Sequence, residues 1–502
     1  MKRSPVPTII GNEAAERFSF YGMRNILVAF LAGHMLLDLP EAQRGPEARE
    51  IFHTFMMGVY FFPLLGGWLA DRLWGRYNVI LRLSLVYVAG HILLAVAEHD
   101  KTWFLAGLGL IAVGSGGIKP CVSAFVGDQF TKDESHKARR VFDAFYWIIN
   151  FGSFGATLLA PYLLKHHGPS VAFGVPGVLM ALAAIIFWWG RDTYTKLPPG
   201  PGDDSAPHRV ALRALKQSPS GSAWLAASGL AAVAGLAMWP TFGPVPALCC
   251  AVVGALAVAS VGTWRALDRA TGIPEDDVIA TRSVLKLMGL FALVTPFWSL
   301  FDQKASTWIL QANEMTLPSF MSGASQIQSF NPLLVMILLP LHHTVTYPLL
   351  ARWGIVLTAL QKMTIGIVLS GTSWIAVGLI QLAIDGGATL SIGWQLLPYV
   401  LLTLGEVWVS ATGLEFAYSQ APLQAKGTLM SLWSLSVTVG NLWVLVVDAV
   451  LKGPSVDAAI ASWGMSPSAF HMFFFAAFAF GAAIAFGAAA RHFQVAVRYR
   501  QA

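Results

Sequence analysis

Four charged residues and one tyrosine share a face of the first apolar segment. In the stretch NEAAERFSFYGMR they recur at helical spacing as Glu13, Glu16, Arg17, Tyr21 and Arg24. A charge within a membrane helix costs about 2.5–3.5 kcal/mol on insertion scales, so such residues usually face a protein interior or a water-filled space. The pattern predicts a polar path through a membrane protein. The alternative is a helix end whose charges reach the lipid headgroups.

Later apolar segments also contain polar residues. Lys119 lies in GSGGIKPCVSAF, which is not a phosphate loop, because the G-x-x-x-x-G-K-[ST] pattern is not met and Pro120 follows the lysine. His53 has a side chain suited to a pH-linked role, although a lone histidine in such a place is more often structural. Further members are Asn150 in FYWIINFG, Asp302 in FWSLFDQK, Asn331 in FNPLL, and Glu406, Glu415 and Ser419 in GEVWVSATGLEFAYSQAP.

The two halves of the chain carry opposite charges in their apolar segments. Arg24 and Lys119 belong to the first half, whereas Asp302 and Glu415 belong to the second. A space between them would suit a zwitterion, with its carboxylate toward the cations and its ammonium toward Glu415. Amide groups for the amino end and aromatic rings for side-chain pockets are also present, namely Asn150, Asn331, Tyr21, Tyr60, Trp298 and Trp433.

The composition is that of a membrane protein. Hydrophobic residues make up 55% of the chain and charged residues only 12%, with a mean hydropathy of +0.59. Soluble domains usually contain about 25% charged residues. The net charge of +6 does not indicate a nucleic-acid partner, since the basic residues lie in short loops between apolar runs, as the positive-inside rule describes.

Fourteen apolar runs, each about 20 residues long, predict an all-α integral membrane protein of two six-helix bundles with two additional helices between them. The loop charges place both termini in the cytoplasm. The predicted division is an N-terminal bundle at 1–190, a cytoplasmic linker at 191–222, an extra hairpin at 223–266, a second linker at 267–283, and a C-terminal bundle and tail at 284–502.

The loop after the second span has a G-x-x-x-D-R-x-x-G-R pattern. Its glycines permit close helix approach, and Asp71, Arg72 and Arg76 can tie helix ends together. It resembles the short loop between helices two and three of the major facilitator superfamily. A weaker echo, YPLLARWGIVLTALQK, occurs at the matching place in the second half, as two repeats with alternating access would require.

Enzymatic and metal-dependent functions find no support in the sequence. No catalytic Ser-His pattern, H-E-x-x-H motif or paired catalytic carboxylates are present. The three cysteines offer neither a metal spacing nor a disulfide framework. We therefore expect no metal, no cofactor and no enzymatic activity.

The charged segments together resemble the proton-coupled oligopeptide transporter family. Its E-x-x-E-R-F-x-Y-Y motif corresponds to residues 13–21, and GSGGIKPCVSAFVGDQF, FYWIINFGS, FWSLFDQ, FNP and GLEFAYSQAP resemble its further motifs in order. The match covers most of the chain. The hairpin at 223–266 resembles an insertion of bacterial members, which implies a multi-pass protein of a bacterial inner membrane.

The resemblance implies symport of dipeptides and tripeptides with protons, without a cofactor or an obligate protein partner. It assigns proton coupling to Glu13, Glu16, Arg17 and Asp302, with Glu16 paired to Lys119 and Arg24 paired to Asp302. The peptide carboxylate would be held by Arg24, Lys119 and Tyr21. The amino end would be held by Asn150, Asn331, Glu415 and Ser419, and the pockets lined by Tyr60, Trp298 and Trp433. His53 matches a histidine used in animal relatives.

One position departs from the family motif. Phe20 replaces the first tyrosine of its closing pair, so any contact made through that hydroxyl is absent. A symporter of another small solute, such as an anion, an amino acid or a drug, remains the alternative. The cationic wall alone would suit an anion, whereas Glu415 and the two asparagines favour a substrate with an amine.

Overall fold

The computed structural model describes residues 4–130, 135–199, 204–420 and 426–493, and its regular structure within these ranges is helical. Apart from the helices, Thr316 and Ser391 form an isolated β-bridge in this part of the chain. The predicted all-α class is confirmed.

The helices form three groups along the sequence. The first contains α1 (Val6–Phe30), α2 (Glu41–Phe61), α3 (Pro63–Leu69), α4 (Gly75–Val96), α5 (Lys101–Asp128), α6 (Ser135–His167) and α7 (Pro169–Trp189). The second contains α8 (Pro207–Gln217), α9 (Gly221–Leu236), α10 (Trp239–Phe242) and α11 (Pro244–Ala266). The third contains α12 (Glu275–Asp302), α13 (Thr307–Asn313), α14 (Phe330–Leu341), α15 (Tyr347–Arg352), α16 (Ala359–Asp385), α17 (Leu396–Glu406), α18 (Thr412–Gln420), α19 (Lys426–Leu451), α20 (Pro454–Ala461) and α21 (Pro467–His492).

Short segments of other helical geometry connect several of these helices. The π-helical turns are Leu31–Met35, Ala70–Trp74, His342–Thr346 and Val407–Ala411. The 3-10 turns are Gly190–Asp192, Gln303–Ala305, Ala324–Ser329 and Ile392–Gln395. Such turns are frequent at functional sites, and Gln303–Ala305 directly follows Asp302.

Twelve segments of the described chain are long and apolar enough to cross a membrane. Helix α1 is not among them, because it carries four charged residues. One of the twelve, Glu41–Val96, has 56 residues, and a single crossing needs only about 20. The count of fourteen spans therefore stays a prediction.

Two separate hydrophobic cores underlie the fold. One is built mainly from α1, α2, α4, α5 and α7, and the other from α12, α13, α16, α17, α19 and α21. Helices α9 and α11 pack on each other, and Cys249 of α11 joins a small cluster with Met57 of α2 and Leu435 of α19. The hairpin thus contacts both the first and the third group.

The predicted linker 191–222 contains a helix, α8, that the sequence analysis did not anticipate. Val210 and Leu215 of α8 pack against Leu267. Before the helix, Asp204 accepts a hydrogen bond of 2.7 Å from Arg209. This bond and the charge of Arg213 lower the pKa of the Asp204 carboxyl. A helix with one apolar and one charged face therefore lies within the linker.

Helix α5 is packed at backbone distance against its neighbours. A Cβ atom added to Gly66 would lie 2.2 Å from the carbonyl oxygen of Gly117, and one added to Gly114 would lie 2.7 Å from Cβ of Tyr87. Glycines allow this close approach. Because Lys119 lies two residues after Gly117, the same contact sets the position of the lysine relative to α3.

The loop between α3 and α4 ties helix ends together, as its charge pattern predicted. Arg76 lies 3.8 Å from Asp71 and forms a 2.5 Å contact with Asp128 at the end of α5. Gly75 has a φ of 73°, which is unfavourable for residues with a Cβ atom. The chain can therefore turn sharply between the π-helical turn and α4.

Candidate functional site

The first charged group lies on α1 and is held together within that helix. Nε of Arg17 lies 2.6 Å from Oε1 of Glu13 and 3.1 Å from Oε2 of Glu16. The i, i+4 spacing of Glu13 and Arg17 brings the first pair together. Both glutamates are 1% exposed, so Arg17 compensates two carboxylates that are removed from water.

Lys119 forms no ion pair with these carboxylates, although it lies within electrostatic range of Glu16. Its Nζ is 4.3 Å from the ring centroid of Phe20 and 4.4 Å from that of Tyr60, so the ammonium lies between two aromatic faces. The expected pair with Glu16 is not formed in this conformation, in which Glu16 contacts Arg17 instead. Phe20, the departure from the family motif, therefore contributes its ring face to the lysine.

Arg24 and Asp302 form the expected contact. Nη2 of Arg24 donates to Oδ1 of Asp302 at 2.6 Å, and the two side chains are 7% and 2% exposed. Arg24 belongs to α1 and Asp302 to the end of α12, so the pair joins the two bundles. Removal of either side chain would leave the charge of the other buried without compensation.

The other carboxylate oxygen of Asp302 leads to His53 through Asn441. Nδ2 of Asn441 donates to Oδ2 of Asp302 at 2.8 Å and to the carbonyl of Val437 at 3.0 Å. Its Oδ1 lies 2.7 Å from Nδ1 of His53. Because the amide nitrogen is committed to two acceptors, Nδ1 of His53 is the donor in this contact. The network thus connects helices α2, α12 and α19.

The same histidine contacts Ser306 through its second ring nitrogen, Nε2, at 2.9 Å. Sequence reasoning missed both Asn441 and Ser306. Asn441 could have been noticed as an amide in the apolar stretch SVTVGNLWVL. Such residues often bond across membrane helices.

A third polar group lies around Asn331. Its Oδ1 accepts from Nζ of Lys304 at 2.7 Å, and its Nδ2 donates to Glu406 at 2.5 Å and to Thr403 at 3.0 Å. Glu406 also lies within electrostatic range of Arg24 and Asp302. Among the residues expected to hold the amino end of the peptide, Asn331 therefore has Glu406 as its carboxylate partner.

Glu415 and Ser419 were expected to hold the amino end of the peptide, and only their backbone is described. The backbone of Glu415 and Ser419 belongs to α18, but their side chains lie outside the described part of the chain. Glu415 follows Glu406 by nine residues in the same segment, and its role stays a prediction. Asn150 lies on α6 and is partly exposed.

The expected pocket aromatics divide between the two bundles. Trp298 and Trp433 pack edge to face with centroids 5.9 Å apart, and both belong to the C-terminal core. Tyr21 and Tyr60 are partly exposed and pack against the N-terminal core. The rings could therefore border a space between the bundles from both sides.

Burial does not separate the expected proton-coupling residues cleanly from the expected substrate contacts. Glu13, Glu16, His53 and Asp302 are at most 1% exposed. Among the expected substrate contacts, Tyr21, Tyr60, Lys119 and Asn150 are partly exposed, whereas Arg24, Asn331, Trp298 and Trp433 are buried.

No cluster of three or more His, Cys, Asp or Glu side chains suited to a metal ion occurs among the described residues. The chemistry that this arrangement offers is the making and breaking of buried ion pairs. Two helical bundles joined by such pairs define a membrane transporter with the major facilitator fold.

The chain belongs to the POT family. The model of that family, PTR2, matches residues 77–463, which is more than half of the chain. A solved structure of an auto-inhibited POT family peptide transporter is 54% identical, covers 99% of each chain and has a TM-score of 0.96. The solved structure of the POT family transporter PepTSo is also 54% identical. The match covers 97% of this chain and 98% of the PepTSo chain, with a TM-score of 0.94.

Curated animal relatives are more distant. Peptide transporter 3 of Caenorhabditis elegans is 34% identical over 396 residues, which is 75% of this chain and 50% of that protein. The chain spans about half the length of the curated relatives it matches. This relative and both solved structures are named as transporters rather than as enzymes.

Proposed function

We propose that this protein imports dipeptides and tripeptides together with protons by alternating access. The observation that carries the proposal is the buried Arg24–Asp302 pair between the bundles. Lys119 of the N-terminal bundle and Glu406 of the C-terminal bundle both lie within electrostatic range of this pair. A peptide carries one carboxylate and one ammonium, and these charges match the two walls. The names of the relatives support the same substrate class.

Proton coupling follows from the pair itself. When a proton from the outer side binds Asp302, the carboxylate loses its charge and Arg24 is free to hold the peptide carboxylate. When the proton leaves toward the cytoplasm, the pair can form again. Proton and peptide then act on the same two states, as coupling requires. The buried Glu13–Glu16–Arg17 group offers a second place for such an exchange, in which Lys119 could replace Arg17 as the partner of Glu16.

The substrate-binding roles are proposed from placement. Arg24, Lys119 and Tyr21 would hold the peptide carboxylate. Asn150, Asn331 and Glu406 would hold the amino end, with Glu415 and Ser419 as the further positions expected from the sequence. Tyr60, Trp298 and Trp433 would border the side-chain pockets. No cofactor enters this scheme, because protons are the coupling ion.

The setting is proposed to be a bacterial inner membrane, with both termini in the cytoplasm and a bundle on each side of the hairpin at 223–266. The loop charges support this orientation, and the contact of α11 with α2 and α19 supports the place of the hairpin.

The test is uptake of labelled dialanine into proteoliposomes with an inward proton gradient, and again after an ionophore has collapsed it. We expect accumulation that disappears with the gradient. The Asp302→Asn variant should retain exchange of labelled for unlabelled peptide but lose accumulation. Accumulation by this variant would contradict the role of Asp302, and the absence of uptake by folded wild-type protein would contradict the substrate class.

The same vesicles test the alternative of another small solute. Unlabelled dialanine should compete with labelled dialanine, whereas an inorganic anion should not. Recovery of intact dialanine from the vesicle lumen is expected for a transporter. Competition by the anion alone would favour an anion symporter on this fold.

A further inference from the structure

Another carboxylate, that of Asp448, is partly buried between α2 and α19, on the side of Asp302 that leads toward the end of α19. Oδ1 of Asp448 lies 3.7 Å from Nη2 of Arg49 on α2 and 3.4 Å from Nδ1 of His471 on α21. Neither carboxylate oxygen has a hydrogen bond of good geometry. The carboxylate is therefore held by charge and proximity alone.

The hydrogen bond of Nε2 indicates which ring nitrogen of His471 carries the proton. Nε2 of His471 lies 2.7 Å from Oε1 of Gln303. The amide of Gln303 has a fixed orientation, because its Nε2 donates to the carbonyl of Ser299 at 2.9 Å and its Oε1 accepts from the hydroxyl of Thr307. Nε2 of His471 is consequently the donor to Gln303.

With the proton on Nε2, the other ring nitrogen of His471, Nδ1, faces Asp448. In neutral His471, a proton on Nε2 leaves Nδ1 with a lone pair that faces a carboxylate oxygen at 3.4 Å. Two acceptors would repel each other. A proton between Nδ1 and Oδ1, carried by either residue, converts the repulsion into a hydrogen bond. The pair therefore offers a place for one proton, which either residue can carry.

The charged and titratable groups around the pair come from α2 and α19. Helix α2 contributes Arg49, Glu50 and His53, and α19 contributes Lys452 besides Asp448. Lys452 lies 3.5 Å from Glu50, so a second ion pair joins the same two helices. From α16, the ring of Trp374 packs against His471. Arg49 is the cation in contact with Asp448.

Asp448 is more accessible than Asp302, whereas His471 is 3% exposed. The side chain of Asp448 is 14% exposed, against 2% for Asp302. In the orientation expected from the loop charges, the start of α2 and the end of α19 face the outside. A proton from the outer solution would thus meet Asp448 and His471 before it reaches Asp302.

We propose that Asp448 and His471 form a proton-binding site separate from Asp302, which is loaded from outside when α2 and α19 move apart. In the present conformation, the charge of Arg49 favours the ionised carboxylate. Withdrawal of Arg49 with α2 leaves His471 as the partner of Asp448, and the shared proton is then held more firmly. By linkage, low external pH favours the separated state, and closure expels the proton.

This inference rests on the proposed alternation, but its test does not require transport. Spin labels are placed at the outer ends of the bundles through Gln43→Cys and Ser455→Cys, both at exposed positions, after Cys121, Cys249 and Cys250 have been replaced. The distance between the labels is measured in lipid nanodiscs from about pH 5 to about pH 8, the range in which histidine titrates. Asp302→Asn is present throughout, so that Asp302 does not contribute.

We expect the population with the longer distance to grow as the pH falls. One linked proton changes the ratio of the two populations by up to about tenfold for each pH unit. Addition of Asp448→Asn, or of His471→Gln, should make the ratio depend less steeply on pH, because one of the linked protons is removed. Both replacements keep a polar side chain of similar size, and the melting temperature of each variant shows that it is folded.

Lys452→Gln is the matched control, because it removes an ion pair between the same helices that lacks a histidine. It should change the ratio equally at every pH and keep the pH dependence. The proposal is overturned if Asp448→Asn and His471→Gln leave the slope of the pH dependence unchanged, or if Lys452→Gln lowers it to the same extent. Failure of peptide uptake with this pH dependence intact would instead count against the proposed function.

Discussion

The guanidinium of Arg24 meets the carboxylate of Asp302 at 2.6 Å, although the residues are separated by 278 positions in the chain. This contact brings α1 of one bundle to the end of α12 of the other. Removal of one partner from a buried ion pair typically costs about 3–5 kcal/mol, because the other charge stays buried without compensation. The pair therefore stabilises this conformation only while both charges are present.

A double-mutant cycle should show this interdependence. We expect Arg24→Ala to lower the melting temperature markedly, because Asp302 becomes an unpaired buried charge, with a loss of up to about 3–5 kcal/mol. Combination with Asp302→Asn should recover much of this loss. The measurement is thermal unfolding in detergent, and additive effects of the two substitutions would contradict the buried pair.

Asn441 should couple His53 to Asp302. Its replacement in Asn441→Leu leaves Nδ1 of His53 and one oxygen of Asp302 without their present partners, at about 1–3 kcal/mol for each unsatisfied group. We expect proton-driven uptake of dialanine to fall more than peptide exchange. Ser436→Ala on the same helix is the control, since its hydroxyl donates only to the carbonyl of Trp433. Equal losses of both activities would contradict a role in coupling.

The sequence was sufficient for the fold class, and the resemblance to the family implied the contact between Arg24 and Asp302. Charges in apolar segments must be compensated, but charge balance alone did not select this pair from the available cations and carboxylates. The i, i+4 spacing predicted that Glu13 and Arg17 share a face, and they are in contact. This last relation depends on local periodicity, which a sequence displays directly.

Contacts between residues on different helices depend on which helices pack together, and the sequence does not show that packing. Glu406 and Glu415 lie on the same segment, and only the packing of α14 against α17 shows that Glu406 reaches Asn331. Lys119 was expected beside Glu16, but the rings of Phe20 and Tyr60 hold it elsewhere. Asn441 was missed because a single amide in an apolar helix has many structural explanations.

Gly66 should be intolerant of a side chain. Its Cβ position lies 2.2 Å from a backbone oxygen of Gly117, and backbone atoms cannot move aside as a flexible side chain can. We expect Gly66→Ala to lower the melting temperature and to weaken peptide binding, because α5 and Lys119 must shift. Gly109→Ala, on α5 itself, is the control, since its Cβ would meet no atom within 4 Å. Similar melting temperatures for the two variants would show that the contact is not tight.

Glu406 should bind the amino end of the peptide. In Glu406→Gln, a charge-assisted hydrogen bond worth about 1.5–3 kcal/mol is lost, which raises the KM for dialanine on the order of 10- to 100-fold. Propanoyl-alanine, which lacks the amino group, should inhibit the variant and the wild type about equally, because it never uses this carboxylate.

Glu415→Gln, on the same segment, decides between the two carboxylates. Glu406 is partly exposed and hydrogen-bonded to Asn331, so we expect Glu406→Gln to weaken dialanine binding at least as much as Glu415→Gln does. The measurement is the concentration dependence of exchange at fixed pH, which separates peptide binding from the proton gradient. A larger effect of Glu415→Gln, with discrimination against propanoyl-alanine lost only there, would move the amino-end site from Glu406 to the position expected from the sequence.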